Sequence, residues 1–89
     1  MDAIPKIVAV EAVGPAELLV RFDNGAEKAY DFRPLLSRPE FRLLNTWAFF
    51  RAVRVDPGGY GISWNDNIDL SGYELWVRGT PSIKEPTGG

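Results

Sequence analysis

Leu18-Leu19-Val20-Arg21-Phe22, followed directly by Asp23-Asn24-Gly25, is the stretch of sequence that decides the fold. The first segment has strand character. Asparagine and glycine tolerate the positive φ angles that a tight hairpin turn needs, so a second strand should follow and end near Tyr30. Loops of two and of three residues both fit these residues. We prefer three, with Gly25 as a bulge, because that register puts Tyr30 on the face that carries Leu18.

Further short segments of strand character lie on both sides of this hairpin. Residues 6–13 form a β-branched run that Gly14-Pro15 interrupts. Residues 53–55 alternate as a short strand, and residues 60–64 and 68–70 predict a second hairpin. Short strands joined by tight turns are typical of an antiparallel sheet.

Two capping-box patterns predict two short helices. Ser37 precedes Glu40 by three residues, at the start of a helix expected from about residue 39 to residue 45. Ser71 and Glu74 repeat the pattern near the end of the chain. The fold class that follows is α+β: a small antiparallel sheet of short strands and hairpins, with two short helices packed on it.

Length and composition predict one small domain. The chain has 89 residues, of which 45% are hydrophobic and 25% charged, a globular composition. We expect a single α+β domain over residues 1–81 and a loose C-terminal tail over residues 82–89. The sequence shows neither a signal-peptide pattern nor an apolar run of about 20 residues, the length that spans a bilayer. A cytoplasmic location and no membrane partner are therefore expected.

The chain contains no cysteine and no histidine. The usual ligands of zinc, copper and iron are therefore missing, and so is the commonest general base. We expect no catalytic residue, no metal site and no cofactor, so the protein should not be an enzyme. Asp66 lies in an Asn-Asp-Asn turn whose spacing does not match a calcium loop. Asp69, between two apolar residues, would need a partner if it were buried.

Arginines and aromatic residues alternate in the middle of the chain. Five arginines and one acid, Glu40, lie between residues 33 and 54. Arginine beside exposed aromatic rings is typical of protein interfaces and of nucleic-acid surfaces. The alternative is that the aromatic rings belong to the core and the arginines to its solvated side. Arg38 and Arg42 would share a helical face if the helix included Arg38. The candidate contact residues are Arg38, Arg42, Trp47 and Arg51.

The chain resembles the small bacterial proteins of domain-of-unknown-function family 2442 (DUF2442). The resemblance runs from Ile7 to Gly79, and its most specific part is Gly61-Ile62-Ser63-Trp64 followed by Ile68-Asp69-Leu70. It implies a compact α+β domain without established activity or catalytic residues. Members look like companions of a second small protein, in the manner of toxin–antitoxin pairs. Trp64 and Asp69 match the motif, with either a folding or a functional role.

Three functions remain open at this point. The favoured hypothesis is a protein-interaction or regulatory, antitoxin-like module without catalysis, whose partner is another small protein or a second copy of itself. The second is a nucleic-acid-binding regulator, which the formal net charge of −2 disfavours. The third is a small-molecule-binding domain that uses Asp69 and neighbouring arginines in a pocket.

Overall fold

The computed structural model describes residues 4–81 as two antiparallel sheets with short helical segments between and beside them. The strands are β1 (Ile7–Gly14), β2 (Glu17–Phe22), β3 (Glu27–Asp31), β4 (Arg54–Val55), β5 (Gly61–Asn65), β6 (Ile68–Ser71) and β7 (Thr80–Pro81). The first sheet has the order β1-β2-β3-β7, and the second has the order β4-β5-β6. The helices are α1 (Trp47–Phe50), α2 (Gly72–Arg78) and the 3₁₀ segments Arg33–Leu35, Pro39–Asn45 and Pro57–Gly59.

The α+β class with antiparallel pairing is confirmed, although the strands form two sheets where one was expected. A largely helical connection, residues 32–53, separates β3 from β4. Strands β4, β5 and β6, which follow this connection, pair with one another and not with the first hairpin. The short strand β7, which the sequence did not predict, returns to pair with β3. The tail predicted for residues 82–89 lies outside the described residues.

The hairpin between β2 and β3 has the predicted three-residue loop. The Phe22 N–H donates to the Ala26 carbonyl at 2.9 Å, and Gly25 adopts a φ of 91°. Leu18 lies directly opposite Tyr30, and both side chains are buried. The preferred register is therefore confirmed, and its cause is the left-handed conformation that glycine accepts at the bulge.

Strand β1 stands at the edge of the first sheet and is irregular at two points. Its pairing with β2 shifts register around Val8 and again around Val13. Both valines are exposed, at 55% and 46%. Bulges bend a strand and break the regular row of free backbone groups, which protects an edge against pairing with another chain.

A cluster of aromatic rings joins the two sheets. Phe32, which follows β3, is fully buried. Its ring makes edge-to-face contacts with Tyr30, Phe41, Phe50 and Trp64, at centroid distances of 5.3–5.8 Å. The indole N–H of Trp64 donates to the Phe50 carbonyl at 2.8 Å. One side chain thus connects the first hairpin, the helical connection and the second sheet.

The first predicted helix differs from its expected form. Pro39–Asn45 is a 3₁₀ helix, its N-cap is the extended residue Arg38, and no side chain caps it. The capping box assigned to Ser37 is therefore wrong. Phe41 interrupts the helix with a φ of −111°. A 3₁₀ helix has three residues per turn, which places Phe41 and Leu44 together on the core side.

Helix α2 begins as predicted but is held in an unexpected way. The Ser71 hydroxyl accepts the Glu74 N–H at 3.1 Å, which confirms Ser71 as the N-cap. The Glu74 carboxylate instead accepts the Tyr30 hydroxyl from β3, at 2.8 Å. From the same strand, the Lys28 ammonium donates to the Trp76 carbonyl and lies 4.1 Å from the centre of the Trp76 ring. Strand β3 therefore holds α2 at both ends.

Gly59→Ala should destabilise the protein more than Gly25→Ala. Both glycines have positive φ angles, of 78° and 91°. A Cβ on Gly59 would lie 2.6 Å from the Ile7 carbonyl oxygen, whereas a Cβ on Gly25 would meet nothing within 4 Å. We expect a loss of about 1–2 kcal/mol at Gly25 from backbone strain alone, and about 1–3 kcal/mol more at Gly59 from the clash. Urea unfolding checks this, and equal losses would contradict it.

Trp64→Phe should cost about 1–3 kcal/mol of unfolding free energy. The substitution removes the indole N–H and leaves the Phe50 carbonyl without that donor in a buried site. The matched control is Trp47→Phe, because Trp47 is 46% exposed and its replacement should change stability by less than about 0.5 kcal/mol. Chemical denaturation of both variants measures the difference. A smaller loss for Trp64→Phe than for Trp47→Phe would disprove the structural role of Trp64.

Candidate protein-interaction surface

The four candidate contact residues are all exposed, but they do not share one helical face. Arg38 precedes the 3₁₀ helix as its N-cap, so the condition for a common face with Arg42 is not met. Residues three apart, and not four apart, lie on the same side of a 3₁₀ helix. Arg38 accordingly lines a groove together with Phe41, while Arg42 is not among the residues of that groove.

Trp47 and Arg51 are brought together by the single turn of α1. The Arg51 N–H donates to the Trp47 carbonyl at 2.9 Å, and side chains four residues apart in an α-helix are neighbours. The Trp47 ring lies 6.4 Å from the ring of the fully buried Phe50, centre to centre, and remains 46% exposed. One side of the indole therefore rests on the core, and the other faces solvent.

The structure adds Leu43 to this surface. Its side chain is 51% exposed, although it lies only one residue before the fully buried Leu44. The apolar spacing in the sequence did not identify it, because an α-helical repeat does not apply to a 3₁₀ segment. We call the exposed set the arginine–tryptophan surface, with Arg38 at its edge; its members are Arg38, Arg42, Leu43, Trp47 and Arg51.

The arginines of this surface have no acidic partner in the described part of the chain. Among residues 4–81, no carboxylate lies within 4 Å of Arg38, Arg42 or Arg51. Five arginines against one glutamate give residues 33–54 a net charge of +4. Because the total is −2, the rest of the chain carries −6. The protein is thus electrostatically polarised.

Arg33 differs from the other arginines of the segment because it is paired. Its guanidinium donates to the Asp31 carboxylate at 2.8–3.2 Å, and its backbone N–H donates to the same group. These hydrogen bonds lower the pKa of Asp31 to about 2. Arg33 is therefore not available to a partner in the way that Arg42 and Arg51 are.

The two motif residues, Trp64 and Asp69, occupy opposite environments. Trp64 is 5% exposed and belongs to the aromatic cluster, with its N–H bonded. Asp69 is exposed on β6, opposite Ser63. The need for a buried partner therefore does not arise, and within residues 4–81 no ion pair within 4 Å involves Asp69.

The sequence analysis did not find a partly buried hydrogen-bonded pair at the second sheet. The hydroxyl of Ser63, 8% exposed, donates to the Asp56 carboxylate at 2.6 Å. The Asp56 carboxylate also packs closely against Gly61, because a Cβ added to Gly61 would lie 3.2 Å from Asp56 Oδ2. Seven residues separate Asp56 and Ser63, and only the pairing of β4 with β5 brings them together. The pair holds the turn before β5 against the sheet.

A family model confirms the resemblance. The model of the family described as "Protein of unknown function (DUF2442)" matches residues 7–80, which is most of the chain. The chain belongs to the DUF2442 family. No curated protein and no solved structure matches it.

This DUF2442 domain has no metal-ligand cluster in the part that the structure describes. Within residues 4–81, no three histidine, cysteine, aspartate or glutamate side chains come together as they would around an ion. Asp66 lies in the predicted turn, where the Asn65 side chain accepts the N–H groups of Asn67 and Ile68. No helix among the same residues is long and apolar enough to cross a membrane. The cytoplasmic location stays a prediction.

Arg33→Gln should raise the pKa of Asp31 from about 2 toward the ordinary value of 3.8, because the guanidinium holds it down. In the unmodified domain, the Asp31–Arg33 pair is complete above about pH 4 and is lost as the pH falls through about 2. Carboxyl ¹³C shifts during a pH titration measure the midpoint. Arg42→Gln is the control and should leave it unchanged. A midpoint unaffected by Arg33→Gln would contradict the assignment.

Proposed function

We propose that this DUF2442 domain is a protein-interaction module without catalytic activity of its own, which regulates or neutralises a partner protein. The observation that carries the proposal is the arginine–tryptophan surface. Two large apolar side chains, Leu43 and Trp47, are about half exposed beside arginines that lack carboxylate partners. Tryptophan and arginine are the residues most enriched where binding energy is concentrated.

The surface supports binding because its groups gain more from a partner than from water. Trp47 already rests on the core through Phe50, so covering its free side costs little side-chain entropy. Arg42 and Arg51 can donate paired hydrogen bonds to carboxylates, which are stronger than bonds between neutral groups. A partner with an apolar patch between acidic residues would satisfy all three side chains.

The charge distribution favours an acidic partner. Residues 33–54 carry +4, so the field near the surface attracts negative groups and raises the rate of encounter with them. Another small acidic protein fits this description. A second copy of the chain fits it as well, because the remaining residues carry −6.

The same unpaired arginines are also the specific observation that favours the second hypothesis, a nucleic-acid-binding regulator. A net charge of −2 argues against it, because nucleic-acid-binding domains are usually basic. The small-molecule hypothesis has less support. Asp69 does not line any of the four best-formed surface cavities among the described residues.

The test is an affinity pull-down from native-host lysate, with and without nuclease, followed by measurement of the affinity for the purified partner. The test variant replaces the candidate contact residues with alanine at Arg38, Arg42, Trp47 and Arg51. The control variant replaces a matched set of exposed residues elsewhere with alanine at Lys6, Arg21, Arg33 and Tyr73.

We expect the test variant to bind the partner at least about tenfold more weakly than the unmodified domain does, because interface arginines and tryptophans each contribute about 1 kcal/mol or more. The control should bind as the unmodified domain does. Equal affinity of the test variant and the unmodified domain would refute this surface. Partner capture that disappears with nuclease and with added salt would replace the proposal with the nucleic-acid hypothesis.

A further inference from the structure

A groove lies beside the arginine–tryptophan surface. It is bounded by the 3₁₀ segments Arg33–Leu35 and Pro39–Asn45 on one side and by β6 and α2 on the other. Its volume is about 350 Å³. Three half-buried apolar side chains form its floor, and three charged side chains form its rim. The floor residues are Leu35, Phe41 and Leu70, and the rim residues are Arg38, Glu74 and Arg78.

The two rim arginines donate no side-chain hydrogen bond within residues 4–81, although Arg78 forms an ion pair with Glu74. Within residues 4–81, Arg38 has no carboxylate within 4 Å. Arg78 Nε lies 3.6 Å from Glu74 Oε2, too far for a hydrogen bond. That oxygen instead accepts the Tyr30 hydroxyl at 2.8 Å. The rim therefore has a net charge of +1, with its only carboxylate already hydrogen-bonded.

Both guanidiniums act electrostatically on the Tyr30 hydroxyl, which is hydrogen-bonded to the rim residue Glu74. Burial and the Glu74 carboxylate raise the pKa of Tyr30, and Arg78 and Arg38 oppose this rise. The two arginines belong to elements far apart in sequence, and both act electrostatically on this hydroxyl. An anionic group between them would interact with both.

A second cavity of about 270 Å³ adjoins the groove. The two cavities share Leu35, Glu74 and Arg78, and the second extends to Tyr30 and Thr80 beside β7. Because they share these residues, the two cavities lie side by side, with β7 lining one and β6 lining the other. That shape fits an extended segment of polypeptide better than a compact small molecule.

We propose that this groove binds a segment of a partner protein in which an acidic side chain lies close to an apolar one. The apolar side chain packs on Leu35, Phe41 and Leu70, and the carboxylate lies between Arg38 and Arg78. This inference rests on the proposed function, since it supplies the chemistry of the partner. It also accounts for Arg38, which is separated from Arg42 by the 3₁₀ geometry and faces the groove.

A peptide fits the groove better than a nucleic acid does. The floor consists of aliphatic and aromatic carbon, which gains from burying an apolar side chain and has nothing to offer a phosphate. Only two arginines stand on the rim, and the net charge of the chain is −2. A phosphate backbone would need a longer basic track.

The test uses random peptides displayed on phage and selected against the whole purified domain. Enriched peptides should contain aspartate or glutamate within a few positions of a leucine, isoleucine or phenylalanine. The best of them, made synthetically, should shift the backbone amide signals of Leu35, Arg38, Phe41, Leu70 and Ser71 in ¹⁵N NMR spectra. No enrichment, enrichment without acidic residues, or signal changes confined to other residues would overturn the proposal.

Charge reversal separates a direct contact from a structural effect. Arg78→Glu should lower the affinity for the selected peptide by about tenfold or more. A peptide whose acidic residue is replaced by lysine should bind this variant better and so recover part of the lost affinity. Arg54→Glu is the control, because Arg54 is exposed on β4 and belongs neither to the groove nor to the arginine–tryptophan surface, and it should leave the peptide affinity unchanged. Equal affinity of Arg78→Glu and the unmodified domain would overturn the proposal. An oligothymidine that shifts the same amides more strongly than the peptide would also overturn it.

The groove and the proposed function can fail separately. Alanine at Arg42, Trp47 and Arg51 tests only the arginine–tryptophan surface, whereas Arg78→Glu tests only the groove. Loss of the natural partner in the triple variant, with full partner binding and peptide binding in Arg78→Glu, would retain the surface and reject the groove. Loss of peptide and partner in Arg78→Glu, with full binding in the triple variant, supports the groove and rejects the surface.

Discussion

The packing of Phe32 against four aromatic rings is the constraint on which the rest of the structure depends. Phe32 is fully buried where the first hairpin ends. Its ring contacts residues of the 3₁₀ segment Pro39–Asn45, of α1 and of β5. Two small sheets without backbone pairing between them need such a contact, because a short chain has little other apolar surface to bury. Edge-to-face rings add to this burial.

The same constraint determines what the middle of the chain exposes. Phe41, Leu44 and Phe50 are drawn into the core, and the short helical turns that connect them must turn their other side chains outward. Leu43 and Trp47 are exposed for this reason, together with the arginines between and beside them. The interaction surface is thus the outer side of the element that closes the core.

Local signals in the sequence predicted the fold well, and distant contacts account for what it missed. Gly25 and Ser71 act on residues next to them, so the hairpin register and the start of α2 could be read directly. The prediction that Ser37 caps the first helix was wrong, because this segment packs Phe41 against the core as a 3₁₀ helix whose N-cap is Arg38. Other features depend on backbone geometry or strand pairing that no local pattern encodes. They are the exposure of Leu43, the Asp56–Ser63 hydrogen bond and the rim of the groove.

The attachment of α2 to β3 has a consequence for the order of folding. A helix of seven residues is too short to persist alone in water. Its anchors, the Tyr30–Glu74 and Lys28–Trp76 hydrogen bonds, span 44 and 48 residues of chain. Closing loops of that length is slow, so we infer that the hairpin forms first and that α2 then packs onto it. In this order of folding, the groove, which α2 completes, is among the last parts of the molecule to assemble.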